Sequence, residues 1–85
     1  MKMQVVAIYD QKSKLFSQPY VYSTVGVAAR SWQDAVSDPK SDYARHPEDF
    51  SLYLLAVYDD EAGTFVCPPE PEFLVAARSL IGGER

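Results

Sequence analysis

Lys12, Lys14, Phe16, Tyr20 and Tyr22 all fall at even positions in the first quarter of the chain. In an extended strand, residues two apart point to the same face. The three rings are therefore expected on one side, with the two ammonium groups beside them. Rings stack unpaired bases and lysines neutralise phosphates, which is the chemistry of a single-strand binding platform. Arg30 adds a third cation further along. Lys12, Lys14, Phe16, Tyr20, Tyr22 and Arg30 are thus the candidate contacts for single-stranded DNA. The competing reading is structural: Phe16 belongs to a core and the tyrosines decorate a β surface.

A second cluster is acidic. Asp59, Asp60 and Glu61 open the stretch "DDEAG", a candidate contact for a protein partner. The stretch lacks the alternating aspartates and terminal glutamate of a calcium loop, so it reads as an acidic hairpin turn. His46, Glu48 and Asp49 lie in "SDYARHPEDF" (Ser41–Phe50) and invite a metal or acid–base reading. Their spacing fits no metal motif, and one histidine without a second strong ligand is weak. The stretch reads better as a capped turn, with Pro47 setting the backbone and Tyr43 and Phe50 packing inward. Cys67 has neither a cysteine partner nor an adjacent base, so it reads as a small apolar residue. No phosphate-cradling glycine loop and no Ser/His/Asp set can be assembled. The expectation is a non-enzymatic protein with no metal and no cofactor.

The elements that must position these residues belong to one small domain of 85 residues, whose core is marginal at that size. Apolar residues make up 47% of the chain, a globular composition. No apolar run reaches the roughly 18 residues of a membrane span. "MKMQVVAIYD" does not read as a signal peptide, and one cysteine fits a reducing cytoplasm. The net charge of −4 excludes a bulk nucleic-acid condenser. The charge is uneven: residues 1–42 sum to +1 and residues 43–85 to −5.

The chain also repeats itself. A shift of 49 places "VVAIYDQKSKLF" (Val5–Phe16) over "LLAVYDDEAGTF" (Leu54–Phe65), and a shift of 48 aligns "VAARS" at Val27–Ser31 with its copy at Val75–Ser79. Two matches in the same order predict a duplicated unit, about 3–37 and 52–81, with a linker at about 38–51. Each unit reads strand, turn, strand, helix. Strands are expected at Met3–Tyr9 and Leu52–Tyr58, with Asp-containing turns after them and Gly63 free to take a positive φ. Return strands are expected at about Leu15–Tyr22 and Thr64–Cys67, at the sheet edges because Pro19 and Pro68 cannot donate to a ladder. The first helix is expected at about Thr24–Ser37, capped by Ser23 or Thr24 and stopped by Pro39. The second is expected from about Pro71 to Leu80, with Pro71 in the first turn, Glu70 and Glu72 at the positive end of the dipole, Leu80/Ile81 on its apolar face, and Gly82 at the exit. The fold class is therefore α+β: a duplicated ββα–ββα unit, with a four-stranded antiparallel sheet carrying both helices on one face.

Both faces of the central strands are apolar, whereas a sheet covered on one side normally alternates apolar with polar. Two helices cover one face, so the other is expected to meet a second subunit, a partner protein or unstacked bases. A homodimer is the expected assembly.

The stretch "HPEDFSLYLLAVYDDEAGTF", with "VVAIYD", "SQPY" and "AARSWQDAV", resembles the small nonstructural protein of gokushoviruses, single-stranded-DNA bacteriophages of the microvirus group. The resemblance runs from Met3 to about Ser79. It implies a phage protein made in the host bacterial cytoplasm and absent from the capsid. It also implies DNA binding, or a switch of replication toward single-stranded progeny, and it carries over no catalytic residues. Two functions follow as expectations. One is binding of single-stranded DNA in viral DNA replication; the other is engagement of a phage or host replication protein through the acidic half.

Overall fold

The computed structural model describes residues 1–82; the Ile81 side chain and the chain after Gly82, where the helix is expected to exit, lie outside the described residues. In chain order the elements are β1 (Lys2–Asp10), β2 (Leu15–Phe16), β3 (Tyr20–Tyr22), α1 (Val25–Ser37), α2 (Asp42–Arg45), β4 (Phe50–Asp59), β5 (Thr64–Val66), β6 (Glu72–Ala76) and α3 (Ala77–Gly82). The class is α+β, with a curled antiparallel sheet. β1 and β4 pair along their whole length at its centre, from Lys2 opposite Asp59 to Asp10 opposite Phe50. β2 and β3 lie on the outer edge of β1, and β5 and β6 on the outer edge of β4.

The hairpins form for a local reason that both halves share. The Asp10 carboxylate accepts the Lys12 N–H at 2.9 Å, and the Lys14 N–H donates to the Asp10 carbonyl at 2.7 Å. In the second hairpin the Asp59 carboxylate accepts the Glu61 N–H at 3.0 Å, and the Gly63 N–H donates to the Asp59 carbonyl at 2.8 Å. Lys14 has φ 61° and Gly63 has φ 69°, so one turn is closed by a strained lysine and the other by an unstrained glycine.

The first return strand is broken, a further strand stands at Glu72–Ala76 and a short helix at Asp42–Arg45, which corrects the expected four strands and two helices to six strands and three helices among the described residues. In that first return strand, the Ser17 N–H still donates to the Ile8 carbonyl at 2.7 Å. Gln18 and Pro19 then stand where the partner strand offers Ala7 alone, before Tyr20 pairs with Val6. Two residues against one is a bulge, and proline cannot supply a ladder donor. The second return strand lies where it is expected, at Thr64–Val66, and the proline-rich stretch 67–71 then leaves the ladder before Glu72.

The second helix is also corrected. It does not start at Pro71: Glu72–Ala76 is strand β6, and helix begins only at Ala77. Leu54, Tyr53, Leu52 and Ser51 on the free edge of β4 pair with Glu72, Phe73, Val75 and Ala76. Those ladder bonds, with Phe73 and Val75 as good strand formers, outweigh the local helix-start signals. The two "VAARS" copies therefore differ. The first lies wholly in α1, while in the second Val75 and Ala76 are strand and only Ala77–Ser79 are helix.

The helices cover one face, as expected. Ala28, Trp32 and Val36 recur every four residues on α1, and they pack with Val6, Leu52 and Ala77 in the buried core. Thr24 caps α1 by accepting the Val27 N–H at 3.1 Å, and Asp38, just before Pro39, ends it. The Tyr43 ring lies 4.9 Å from Trp32 and 4.9 Å from Phe50, so the linker does pack Tyr43 and Phe50 inward. Ser41 anchors α2: its hydroxyl donates to the Ala35 carbonyl at 2.9 Å and accepts the Ala44 N–H at 3.1 Å. Burial, then the neighbouring Tyr20 and Asp42, pushes the Tyr43 hydroxyl above its ordinary pKa. Among the described residues no helix is long and apolar enough to cross a membrane.

Candidate functional site

The helix-free face of the sheet is built from the odd positions of β1 and their partners on β4, where a register shift at Leu55 switches parity. Val5 pairs with Ala56, Ala7 with Tyr53 and Tyr9 with Ser51. Val5, Ala7 and Ala56 are buried although they stand outside the helix-side core. Rings form the outer layer here. Phe16 pairs with Tyr9 across the first hairpin with centroids 4.8 Å apart. Tyr53 lies 5.9 Å from Tyr9, 5.6 Å from Phe16 and 5.7 Å from Phe73. At the far end of the sheet, Tyr58 and Phe65 form a separate pair at 5.0 Å. The inter-ring angles run from tilted to T-shaped, the geometry the ring quadrupole prefers.

This band is only partly covered. Phe16 is 41% exposed, Phe73 55% and Phe65 62%. Tyr9, Phe16, Tyr53, Glu70 and Pro71 line a shallow groove of about 370 Å³. Exposed rings on an open sheet are the arrangement that stacks single-stranded bases or docks a partner's apolar surface.

The residues expected to form one platform are divided by the sheet. Phe16 lies in the ring band. Tyr20 and Tyr22 pair with Val6 and Gln4, so they lie on the helix side, and the Tyr22 hydroxyl sits 3.0 Å from the Ser31 hydroxyl. Both line a cavity of about 310 Å³ with Trp32 and Tyr43. The cause is the extra residue at Gln18–Pro19, since a one-residue slip turns every later side chain to the opposite face. Arg30 is exposed on α1, in the helix layer and away from Phe16. Lys12 and Lys14 are exposed in the hairpin turn and make no ion pair among the described residues. Lys12 instead borders a polar hollow lined by Asp10, Asp42, His46, Glu48 and Asp49, and the neighbouring Gln11 N–H donates to the Asp49 carbonyl at 2.8 Å.

The acidic candidates are largely engaged within the chain. Backbone N–H bonds from Glu61 and Ala62 hold the Asp59 carboxyl below the usual aspartate range, with help from Lys2 and the terminal amine. Asp60 pairs with the terminal amine at 2.6 Å, and Glu61 stands 3.8 Å from it. Glu61, the more exposed of that pair of carboxylates, is the looser of the two contacts. The ligand atoms of His46, Glu48 and Asp49 come within 4.8 Å of one another. They are the residues that could hold a cation, but Lys12 borders the same hollow and competes for their charge.

Sequence reasoning missed Tyr53, Phe73 and Glu70 as parts of one site. A partial signal existed: Tyr9 and Phe16 flank the first turn symmetrically, which places them opposite each other in a hairpin. Phe73 gave none, because its strand was expected to be helix.

The chain has no match among curated proteins and none among solved structures. The model of one family, described as Phage ORF5 protein, matches residues 3–80, nearly the whole fold including the ring band and both hairpins. By that match the chain belongs to the Phage ORF5 protein family and is a phage protein.

Proposed function

We propose that this phage protein works by binding, without catalysis, and that its ligand is single-stranded DNA during viral DNA replication or its switch to single-stranded progeny. The observation that carries the reading is the ring band on the helix-free face, with Phe16 and Phe73 exposed beside a groove of about 370 Å³. Stacking of one base on an aromatic side chain is worth about 1–3 kcal/mol and tolerates any sequence. With a net charge of −4 the chain neutralises few phosphates, so stacking dominates and the salt dependence is shallow. The resemblance to gokushovirus nonstructural proteins supports the same reading, with the host bacterial cytoplasm as the place of action. Descent of the two halves from one duplicated unit belongs to the proposal too, and it accounts for the matched hairpins. Anisotropy of a labelled oligothymidylate at low salt tests the function. Binding that weakens several-fold in Phe16→Ala and Phe73→Ala is expected; no binding by the unaltered protein overturns the reading.

A second reading has its own observation. Phe65, 62% exposed at the far end of the same face, together with exposed Val21, extends the apolar surface beyond the groove. A protein, a second copy of this chain included, would cover all of it. The homodimer and the replication-protein partner both fall under this reading, with the ring face rather than the engaged Asp59 and Asp60 as the contact. Sedimentation across a concentration series separates the two: self-association that competes with oligonucleotide favours the protein partner.

A further inference from the structure

We infer that the cavity on the helix side of the sheet, between β3 and α1, binds a small, neutral, flat aromatic molecule that brings a hydrogen-bond acceptor. The inference stands whichever reading of the ring face holds. The cavity measures about 310 Å³, double the roughly 150 Å³ of an apolar cavity that takes up benzene. It therefore has room for two fused rings. Unlike the ring groove and the polar hollow, it is walled in part by buried residues, Val6, Ala28, Trp32 and Leu52. Tyr20, 40% exposed, is the one exposed residue among those lining it, so the cavity opens beside that ring.

The walls select the guest. The bulge at Gln18–Pro19 turns Tyr20 and Tyr22 to the helix side, where they line the cavity with Trp32 and Tyr43. Four rings favour a flat aromatic guest, through offset and edge-to-face contacts. No charged side chain lines the cavity among the described residues, and burial, by raising the Tyr43 pKa, keeps that hydroxyl neutral. An ionised guest would lose its hydration and meet no counter-charge, so the guest is neutral.

The walls also hold donors that lack acceptors. The Trp32 Nε1–H is buried without a hydrogen-bond partner, alone in this among the side chains described. A buried donor left unmade is costly. The Tyr22 and Ser31 hydroxyls lie 3.0 Å apart and share one hydrogen, which leaves the second hydrogen with no acceptor among the described residues. A ring nitrogen or carbonyl on the guest supplies what these donors lack. Loosely held water in so apolar a space is displaced at a gain. A cavity of this kind, with a few polar groups converging on apolar walls, is the usual form of a small-molecule site.

The test titrates the full ¹⁵N-labelled chain at neutral pH with quinoline and with naphthalene, molecules of one shape of which only quinoline carries an acceptor. The chain has a single tryptophan, so its indole N–H gives one resonance that reports on the cavity. Quinoline is expected to shift that resonance saturably, and naphthalene to bind about tenfold more weakly, the size of one hydrogen bond. The 2-naphthoate anion is expected not to bind. Ala35→Leu, which adds bulk to the cavity wall, is expected to abolish the quinoline shift in a chain that still folds; a quinoline shift that survives it overturns the inference. Should that variant unfold, the three ligands on the unaltered chain decide alone. An indole resonance that quinoline leaves in place, naphthalene binding as tight as quinoline, or binding of 2-naphthoate overturns the inference.

Discussion

The Asp10–Phe16 and Asp59–Phe65 hairpins are the same object built twice with different charge. Each has an aspartate folded back on its own turn, a residue at positive φ four positions on, and a tyrosine–phenylalanine pair across the strands, at 4.8 Å in one and 5.0 Å in the other. The turn positions between differ throughout, Gln11, Lys12, Ser13 and Lys14 standing against Asp60, Glu61, Ala62 and Gly63. Shape thus depends on three shared residue types, Asp, Tyr and Phe, and on one residue at positive φ, and the remaining positions are free to choose neighbours. The first turn leans on the linker through Asp49, and the second on the chain start, where Asp60 meets the terminal amine and the Asp60 N–H donates to the Met1 carbonyl at 3.1 Å.

The sharpest way to break the likeness is to remove what only the first half possesses. Trp32, on a long helix with no counterpart of equal length in the second half, is 3% exposed. Trp32→Ala is expected to cost about 3–5 kcal/mol, read as a fall in the urea midpoint. Next come the ring pairs. Phe16 touches two rings and Phe65 one, so Phe16→Ala is expected to cost roughly 2 kcal/mol and Phe65→Ala roughly 1 kcal/mol; equal costs would mean that Tyr53 adds nothing. A smaller pair of changes should run in opposite directions. Lys14→Gly relieves a left-handed lysine and should stabilise by about 1 kcal/mol, while Gly63→Lys should destabilise by about as much. Nothing lies within 4 Å of a Cβ at Gly63, so that cost is backbone strain alone, and matched thermal melts check both.

The smallest expected effect is a pH response of the second turn. The folded-state pKa of Asp59 is depressed below its unfolded value by backbone donors. Its contribution is therefore fully present above the ordinary aspartate pKa of about 3.9 and is lost as pH falls below that toward the folded value. Amide NMR shifts of Glu61 and Ala62 should move at a lower pH than a solvated aspartate would dictate. A midpoint at or above the ordinary value would break the account.

Whatever depended on neighbours in sequence was legible before folding. The hairpins were readable because Asp10, Asp59 and Gly63 act within their own turns, and α1 because Thr24, Ala28, Trp32 and Val36 carry cap and periodicity together. Whatever depended on distant partners was not. "PPEPEF" carries every local mark of a helix start, yet the free edge of β4 decides otherwise. Identical "VAARS" pentapeptides take different structures for the same reason. The face assignment failed on a single residue: even spacing puts Phe16, Tyr20 and Tyr22 together only if the strand is unbroken, and the bulge at Gln18–Pro19 separates them. The sheet in consequence puts Phe16 in the ring band and the two tyrosines behind it.

The partition of aromatics by the sheet also gives the molecule two optical channels. Its only tryptophan lies in the helix layer, and the ring band on the opposite face holds only tyrosine and phenylalanine. Emission excited at the red edge comes from Trp32 alone, at the short wavelengths of a buried indole, and should shift only when the helix layer opens or its cavity fills. Occupancy of the ring band should instead quench the Tyr9 and Tyr53 signal. Loss of fold and gain of ligand can thus be followed in one sample, without a label.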